Sequence, residues 1–395
     1  MPTGRPACRT DRQVNGELKY DLVVVGAGPA GSTAAKVACE EGISVLVLEK
    51  KASIGRPVQC GEFVPKALCR EVDIDKRCIA QEVDIMRTYM PDGGIIETNS
   101  PGFILNRALF DELLTIEAAK AGAHILLRTK VISIRGRGVI ARPVCPARPA
   151  GWDGEEINIE TKVVIGADGP ISTAGGWIGQ VNREFVRCLQ YEIPLNRDIK
   201  TTEVYFDPRY RAGYGWLFPK GETANVGVGI RVGSRASRVE RRALREALEH
   251  LVSRLERDGK IKRSILRVSS GLVPVGGYLR RTWCGNILLV GDAAGQTDPI
   301  SGAGILSAIL CGKIAGRIAA MSIKRNDLGI LEEYEVEWKD ILQKPLDRAL
   351  RRRKFLDAHW PCPPSLNSST DNGEKELSQL LRENWIAFRG YYRET

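Results

Sequence analysis

YDLVVVGAGPAGS, residues 20–32, is the stretch on which the fold turns. Asp21 to Val25 reads as a buried strand, Pro29 to Glu41 as an alanine-rich helix, and Val45 to Glu49 as a second strand. Short apolar runs on either side of a helix are what a buried parallel sheet requires. Between strand and helix lies Gly26-Ala27-Gly28-Pro29-Ala30-Gly31. The first glycine permits a tight turn, the second lets backbone approach a pyrophosphate, and the third allows close packing of helix on strand. The free N–H groups of the helix start then face the phosphates. Glu49, with Lys50 beside it, closes the second strand about twenty residues on, where an acid bonds a ribose hydroxyl. A lone glycine motif is weak. Strand, glycines, helix, strand and acid in register are strong, and predict a dinucleotide site.

Outward from this unit, residues 51–100 carry Gly, Pro and Cys and read as loops with short elements. Arg107 to Gly122 is helical by the spacing of Leu109, Phe110, Leu113, Leu114 and Ala118, and a strand follows from His124 to Ile134. Residues 136–155 suggest a hairpin or surface excursion. Thr161 to Ala167 is another apolar strand, ending on Asp168-Gly169. From about Gly176 to Gly276 short strands and one charged helix near Arg238 to Arg257 predict a second, mainly antiparallel layer. Gly285 to Gly291 returns to a buried strand, and Ala303 to Met321 is a small-residue helix. Beyond Lys324 the chain is helical and basic, with a polar linker near Pro363 to Gly373.

The chain of 395 residues carries a net charge of +10, an excess that favours polyanionic surfaces such as nucleic acid or anionic lipid head groups. Its ten cysteines form no CxxC pair, which excludes paired-thiolate zinc and redox motifs and suits a reducing compartment. The three histidines, at 124, 250 and 359, are dispersed, so no metal site and no histidine-centred triad is expected. Residues 1–19 read as a frayed tail without a signal-peptide core. No stretch reaches the roughly 18 uninterrupted apolar residues of a spanning helix. The expectation is a cytoplasmic protein whose membrane contact is at most peripheral.

A second constellation sits late in the chain. Gly166-Ala167-Asp168-Gly169 and Gly291-Asp292-Ala293-Ala294 each follow a strand, and Gly302-Ala303-Gly304-Ile305 opens a helix, offering a second N-terminal anion site. Here the sequence resembles the large family of flavoprotein hydroxylases and their reductase relatives. The resemblance implies bound FAD, with Asp292 at the ribityl chain and Gly302 to Ile305 at the flavin pyrophosphate. It also implies flavin contact for Arg107 and backbone contact with the adenine for Val131. Asp168 reads equally as a bare turn aspartate, because no arginine follows it; Gly175 and Gly176 hold that neighbourhood.

The third constellation is Tyr214-Gly215-Trp216-Leu217-Phe218-Pro219-Lys220-Gly221, with Cys60-Gly61-Glu62 far upstream. Both resemble motifs of the geranylgeranyl reductase family, above all the archaeal-type enzymes that act on ether phospholipids, and the likeness spans about residues 20–320. It implies that Cys60 and Gly61 lie near the flavin, and that Tyr214, Trp216, Phe218, Pro219 and Lys220 form the substrate site. Three aromatics and a proline in so short a run suit a rigid apolar wall for an isoprenoid, though composition alone fits core packing of a strand pair. An isolated alkene has no carbonyl to stabilise a carbanion, so a proton must arrive as hydride adds. Cys60 and Glu62 are the candidate acids by position, with loop packing or flavin contact as the alternative. Cys311 is expected to approach Cys60 if the fold brings both to the flavin edge.

These readings predict an α/β chain. A Rossmann-like FAD-binding domain of the glutathione-reductase-2 type covers residues 20–175 and 277–325. An inserted antiparallel β substrate domain covers 176–276, and a helical region 326–395. The expected activity is FAD-dependent saturation of isolated C=C bonds in geranylgeranyl chains. An isoprenoid lipid rather than nucleic acid is the expected partner, and NADPH, ferredoxin or a reduced deazaflavin the electron donor. Competing readings are an FAD monooxygenase or halogenase, a quinone-linked dehydrogenase, and a non-enzymatic prenyl-binding carrier. Two C-terminal stretches, one through Leu346, Leu350, Arg351 to Lys354 and Phe355, the other through Leu377, Leu380, Leu381, Trp385 and Phe388, read as a helical cap or as a membrane-facing surface.

Overall fold

The computed structural model describes residues 18–144, 156–232, 238–360 and 371–385. The expected tail up to residue 17, most of the excursion before residue 156, most of the 363–373 linker, and the side chains of Trp385 and Phe388 lie outside them.

The chain opens with β1 (Leu18–Val25), α1 (Pro29–Glu40) and β2 (Val45–Leu48). It continues through β3 (Phe63–Pro65), β4 (Ile79–Tyr89), β5 (Ile95–Leu105), α2 (Arg107–Ala121) and β6 (His124–Leu126). The hairpin β7 (Thr129–Arg135) and β8 (Gly138–Pro143) leads to β9 (Ile157–Gly166) and the short α3 (Thr173–Trp177). Then come β10 (Phe185–Pro194), β11 (Thr202–Tyr205), β12 (Tyr214–Lys220), β13 (Thr223–Val232), α4 (Arg238–Arg257) and β14 (Arg267–Pro274). The chain returns through β15 (Trp283–Cys284) and β16 (Ile287–Leu289) to α5 (Ile305–Arg325), α6 (Glu332–His359) and α7 (Asp371–Trp385).

The first sheet runs β15-β16-β9-β1-β2-β6, with the β7–β8 hairpin joined to β9. Its central strands are parallel, Leu22 opposite Val45 on one side and Val163 on the other. Each is buried on both faces, which is why they read as continuous Val and Leu runs rather than alternating ones. α1 and α5 lie on one face. A Cβ added at Gly312 would fall 2.5 Å from the Ala30 carbonyl oxygen, and one at Gly316 2.4 Å from that of Ala34. Contacts that advance four residues on both helices require the two to run parallel. Their N-termini therefore point the same way, α5 starting about 9 Å farther out at 1.5 Å per residue. α5 is long and apolar enough to cross a bilayer, yet two thirds of its most apolar window is buried in this core.

The second sheet runs β14-β10-β13-β12-β11-β4-β5-β3. α4 covers one face with Leu244, Leu248, Leu251 and Leu255, at helical spacing. Burying each such side chain stabilises by about 1.5–3 kcal/mol. The other face carries Met86, Ile104, Val204, Trp216 and Phe218, and is covered by Ile300, by Leu356 of α6 and by Leu377 and Leu381 of α7. The C-terminal stretches thus pack as a cap.

One expectation fails here. Residues 51–100 are not mainly loops: β3, β4 and β5 belong to the second sheet, which therefore is not confined to residues 176–276. Bulges between Ile79 and Gln81 and between Val83 and Ile85 break the alternation that would have announced β4, and Glu82, Asp84 and Arg87 polarise its outer side. β4 pairs in parallel with β11, Thr202 opposite Met86. Buried Lys260 locks that junction, its ammonium donating to Glu203 (2.8 and 3.0 Å), Tyr89 (2.8 Å) and Tyr205 (2.9 Å).

Candidate active site

The glycine loop divides its labour. Gly26 turns at a φ of +102°, and an added Cβ would stand 2.4 Å from the Ala167 carbonyl oxygen; one at Gly31 would stand 2.0 Å from that of Gly26. Gly28 instead opens onto free space, with nothing within 4 Å of an added Cβ. It is also the N-cap of α1 and provides no side-chain acceptor, so the first N–H groups of the helix stay available. Buried Glu49 braces this loop, accepting from the Ala27 amide (3.0 Å) and from that of Lys51 (2.8 Å). Lys50 is exposed. Val131 is buried in β7 beside a bulge.

The second helix start is built alike. Gly304 caps α5 without a side-chain acceptor. A Cβ there would meet Asp292 Oδ1 at 3.2 Å, so the late aspartate lies against the helix opening. Thr297 donates to that oxygen (2.5 Å), and the Asn182 amide donates to the Asp292 carbonyl (2.8 Å). Burial pushes the Asp292 carboxyl above the usual range, while the Thr297 hydroxyl and the Arg107 charge pull it down. Asp298 shapes the loop between, accepting from the amides of Ile300 (2.9 Å) and Ser301 (2.8 Å), and Gly302 turns there at +70°. Two uncapped helix starts facing one way, the first beside an open glycine cradle and each with an acid nearby, fit a dinucleotide.

Asp168 accepts from the Ser172 hydroxyl (2.5 Å) and from the amides of Thr173 (2.6 Å) and Ala174 (3.2 Å), beside Ser172, the N-cap of α3.

Alternation along β12 puts Tyr214, Trp216, Phe218 and Lys220 on one face. Gly215 and Leu217 face α4, and Pro219 falls on their side, so it is not part of the wall. The Phe218 ring lies against Gly61, where an added Cβ would sit 2.9 Å from Cε2. Tyr214 donates to the Ser301 carbonyl (2.5 Å), tying the wall to the α5 loop. Trp216 Nε1 donates to Gln190 Oε1 (2.9 Å), whose amide donates to the Cys60 carbonyl (3.2 Å).

Glu62 is the hub. Its backbone stands at a φ of +73°, and its carboxylate accepts from Lys220 Nζ (2.5 Å), Asn225 Nδ2 (2.7 Å) and the Arg107 amide (2.9 Å). A carboxylate held by three donors, one an ammonium, is an anchor rather than an acid. Lys220 is spent on it and is not free for substrate. Arg107 pairs with Asp111 (3.0 Å), with its charge close to Cys60, and the Cys60 sulfur accepts from the Glu62 amide (3.2 Å). Burial pushes the Cys60 thiol up against the opposing Arg107 charge, so Cys60 keeps its proton. Cys188 joins this cluster, and burial pushes it up to about 12. Cys311 does not join it. Both it and Cys60 are free thiols, and Cys311 is buried in the core among α1, α5 and α6, beside Tyr334. Gln190, Asn225, Thr297 and Cys188 were not anticipated, and none carries a motif of its own.

Comparison with known proteins follows the same lines. A family model described as the geranylgeranyl reductase catalytic domain matches residues 184–273, and one described as an NAD(P)-binding Rossmann-like domain matches residues 24–70. Digeranylgeranylglycerophospholipid reductase 1 of Methanopyrus kandleri is 38% identical over 385 residues, covering 93% of this chain and 100% of that protein. A geranylgeranyl bacteriochlorophyll reductase-like protein from Thermoplasma acidophilum superposes with a TM-score of 0.76 at 29% identity, over 93% of this chain and 99% of that one. The myxobacterial chondrochloren halogenase, a variant of FAD-dependent halogenases, gives a TM-score of 0.64 at 18% identity, over 95% and 91% of the two chains. That likeness concerns the fold alone.

Proposed function

This chain belongs to the digeranylgeranylglycerophospholipid reductase family, and from that premise we propose how its site works. It is an oxidoreductase that saturates C=C bonds of geranylgeranyl lipids, with flavin as its redox group. The monooxygenase or halogenase, quinone-dehydrogenase and carrier readings are not favoured, since the halogenases share the fold at under a fifth identity.

The cofactor is FAD. The open cradle at Gly28, the uncapped starts of α1 and α5, and the acids Glu49 and Asp292 suit a dinucleotide with a diphosphate bridge. When bound and reduced, it supplies two electrons as hydride for each double bond. The protein holds the substrate and the proton. Tyr214, Trp216 and Phe218 form an apolar wall that excludes water from the alkene. Glu62, anchored by Lys220 and Asn225, fixes the loop that carries Cys60 against this wall. Cys60, half-buried, holds a proton at Sγ. The Glu62 amide positions the sulfur, and the Arg107 charge stabilises the thiolate left after the proton is given up.

The observation that carries this reading is the Phe218 ring lying on Gly61, between Cys60 and Glu62. The decisive experiment reduces the purified protein with dithionite, adds a geranylgeranyl ether lipid, and weighs the product. A gain of two hydrogens per bond is expected; an unchanged lipid mass sinks the reading. In the cell the electrons would come from NADPH, ferredoxin or a reduced deazaflavin. The stripe Ile341, Lys344, Arg351 and Phe355 on the outer side of α6 suits peripheral contact with anionic lipid, read as sedimentation with anionic vesicles at low salt.

A further inference from the structure

An isoprenoid wall accounts for the chains of an amphiphilic lipid and leaves its polar end without a place. A cavity of about 540 Å³ lies at the start of β12, between the turn before that strand, the end of β13 and the end of α6. Arg183, Arg211 and Arg231 line it, and so do Ala212 and Trp360.

Three arginines and three acids line it, and they are unequally engaged. Arg231 is bound by Glu184 (2.6 Å) and Asp357 (3.2 Å), and Asp357 is bound again by buried Arg353. Glu240, the third acid of the lining, is also engaged. The guanidinium groups of Arg183 and half-buried Arg211 have no partner among the described residues. With Arg353 behind the lining, the arginines outnumber the acids four to three, and the guanidinium donors of Arg183 and Arg211 are left unspent, the kind of donor that pairs with phosphate. Arg211 and Ala212 stand at φ values of +38° and +53°, consecutive non-glycine residues in the left-handed region, which the surroundings must hold in place.

The cavity's apolar side belongs to the wall. Ala212 and Trp360 pack in the same apolar cluster as Tyr214, Trp216, Phe218 and Leu356. From Tyr214 to Phe218 the strand advances four residues, roughly 13 Å at strand rise. A head held at Arg211 therefore sets its chain along the wall toward Gly61.

We propose that this cavity binds the phosphate-bearing head group of the lipid substrate, with Arg183 and Arg211 as its phosphate ligands. The proposal rests on the reductase reading above. The test compares two geranylgeranyl diether lipids, one with a phosphate head and one ending in a free hydroxyl, using the flavin-loaded enzyme and its Arg183→Gln, Arg211→Gln and Arg211→Lys variants. For the phosphorylated lipid, each Gln variant should raise KM roughly tenfold, with kcat unchanged. Arg211→Lys should recover part of that loss, and KM for the neutral lipid should not move. Retained flavin absorbance shows that the variants fold, and exposed Arg183 makes its variant the safer of the two. Added inorganic phosphate should compete with the phosphorylated lipid alone. An equal rise in KM for both lipids, or no rise for either, overturns the head-group site and leaves the reductase reading intact. Competition by inorganic phosphate without any change in lipid KM in the variants assigns the cavity to free anion and overturns it too. Failure of the unaltered enzyme to reduce either lipid overturns the reductase reading, and the head-group site with it.

Discussion

Lys220 Nζ lies 2.5 Å from Glu62 Oε2, joining β12 to a loop 158 residues earlier in the chain, with both side chains nearly closed to water. Removing one partner of such a pair strands a buried charge. Lys220→Met should therefore lower stability by about 3–5 kcal/mol in chemical denaturation, and double replacement with Glu62→Gln should recover part of it. Additive losses would mean that the pair is not coupled.

Cys60 is the next test. Burial holds its thiol above the ordinary value, so the thiolate is scarce at neutral pH. Iodoacetamide labelling of Cys60, followed by mass spectrometry, should be slow at pH 7 and climb only as pH passes the usual thiol range. Arg107→Gln removes the opposing charge and should shift that climb to higher pH. Cys60→Ala should keep the flavin spectrum while kcat falls about 10²–10⁴-fold. Full alkene reduction by that variant removes Cys60 from the chemistry.

Asp292 opposes stability to binding. Its carboxyl is raised by burial, so the associated stability is present below the unfolded pKa and lost as pH rises through the folded one. At neutral pH the charged group destabilises the flavin-free protein. Asp292→Asn should thus raise the melting temperature of that form at pH 7, with the gain shrinking toward pH 4, and should weaken flavin retention. A variant that melts lower at pH 7 and keeps its flavin contradicts both halves.

The glycines make a paired comparison. Gly28→Val enters open space but gives α1 a poorer N-cap, so thermal stability should fall by about 1 kcal/mol while flavin binding is lost. Gly31→Ala collides with the Gly26 carbonyl and should fail to give a stable fold. Circular dichroism and flavin absorbance separate the two outcomes.

Local signals were legible in the sequence, and partnerships across it were not. The glycine loop, Glu49 and the late Gly291-Asp292 turn announce themselves because backbone geometry demands those residues at those spacings. The period of two along Tyr214, Trp216 and Phe218 gives a wall, and applied strictly it would also have turned Pro219 away. β4 and β5 hid because bulges break their alternation and charges face outward. Gln190, Asn225 and Thr297 are ordinary residues until folding sets them against Trp216, Glu62 and Asp292. Cys311 carried no sign of direction, and its helix turns it into the core.

The seating of Gly312 on Ala30 and of Gly316 on Ala34 has a consequence for how such enzymes can diversify. Sliding one helix along the other must lift both contacts at once, so the stagger of their two ends is stepped rather than elastic. The core acts as a fixed gauge for the length of molecule gripped between them. Changes in reach or preference must then be made in the loops ahead of each helix rather than in the stagger between them.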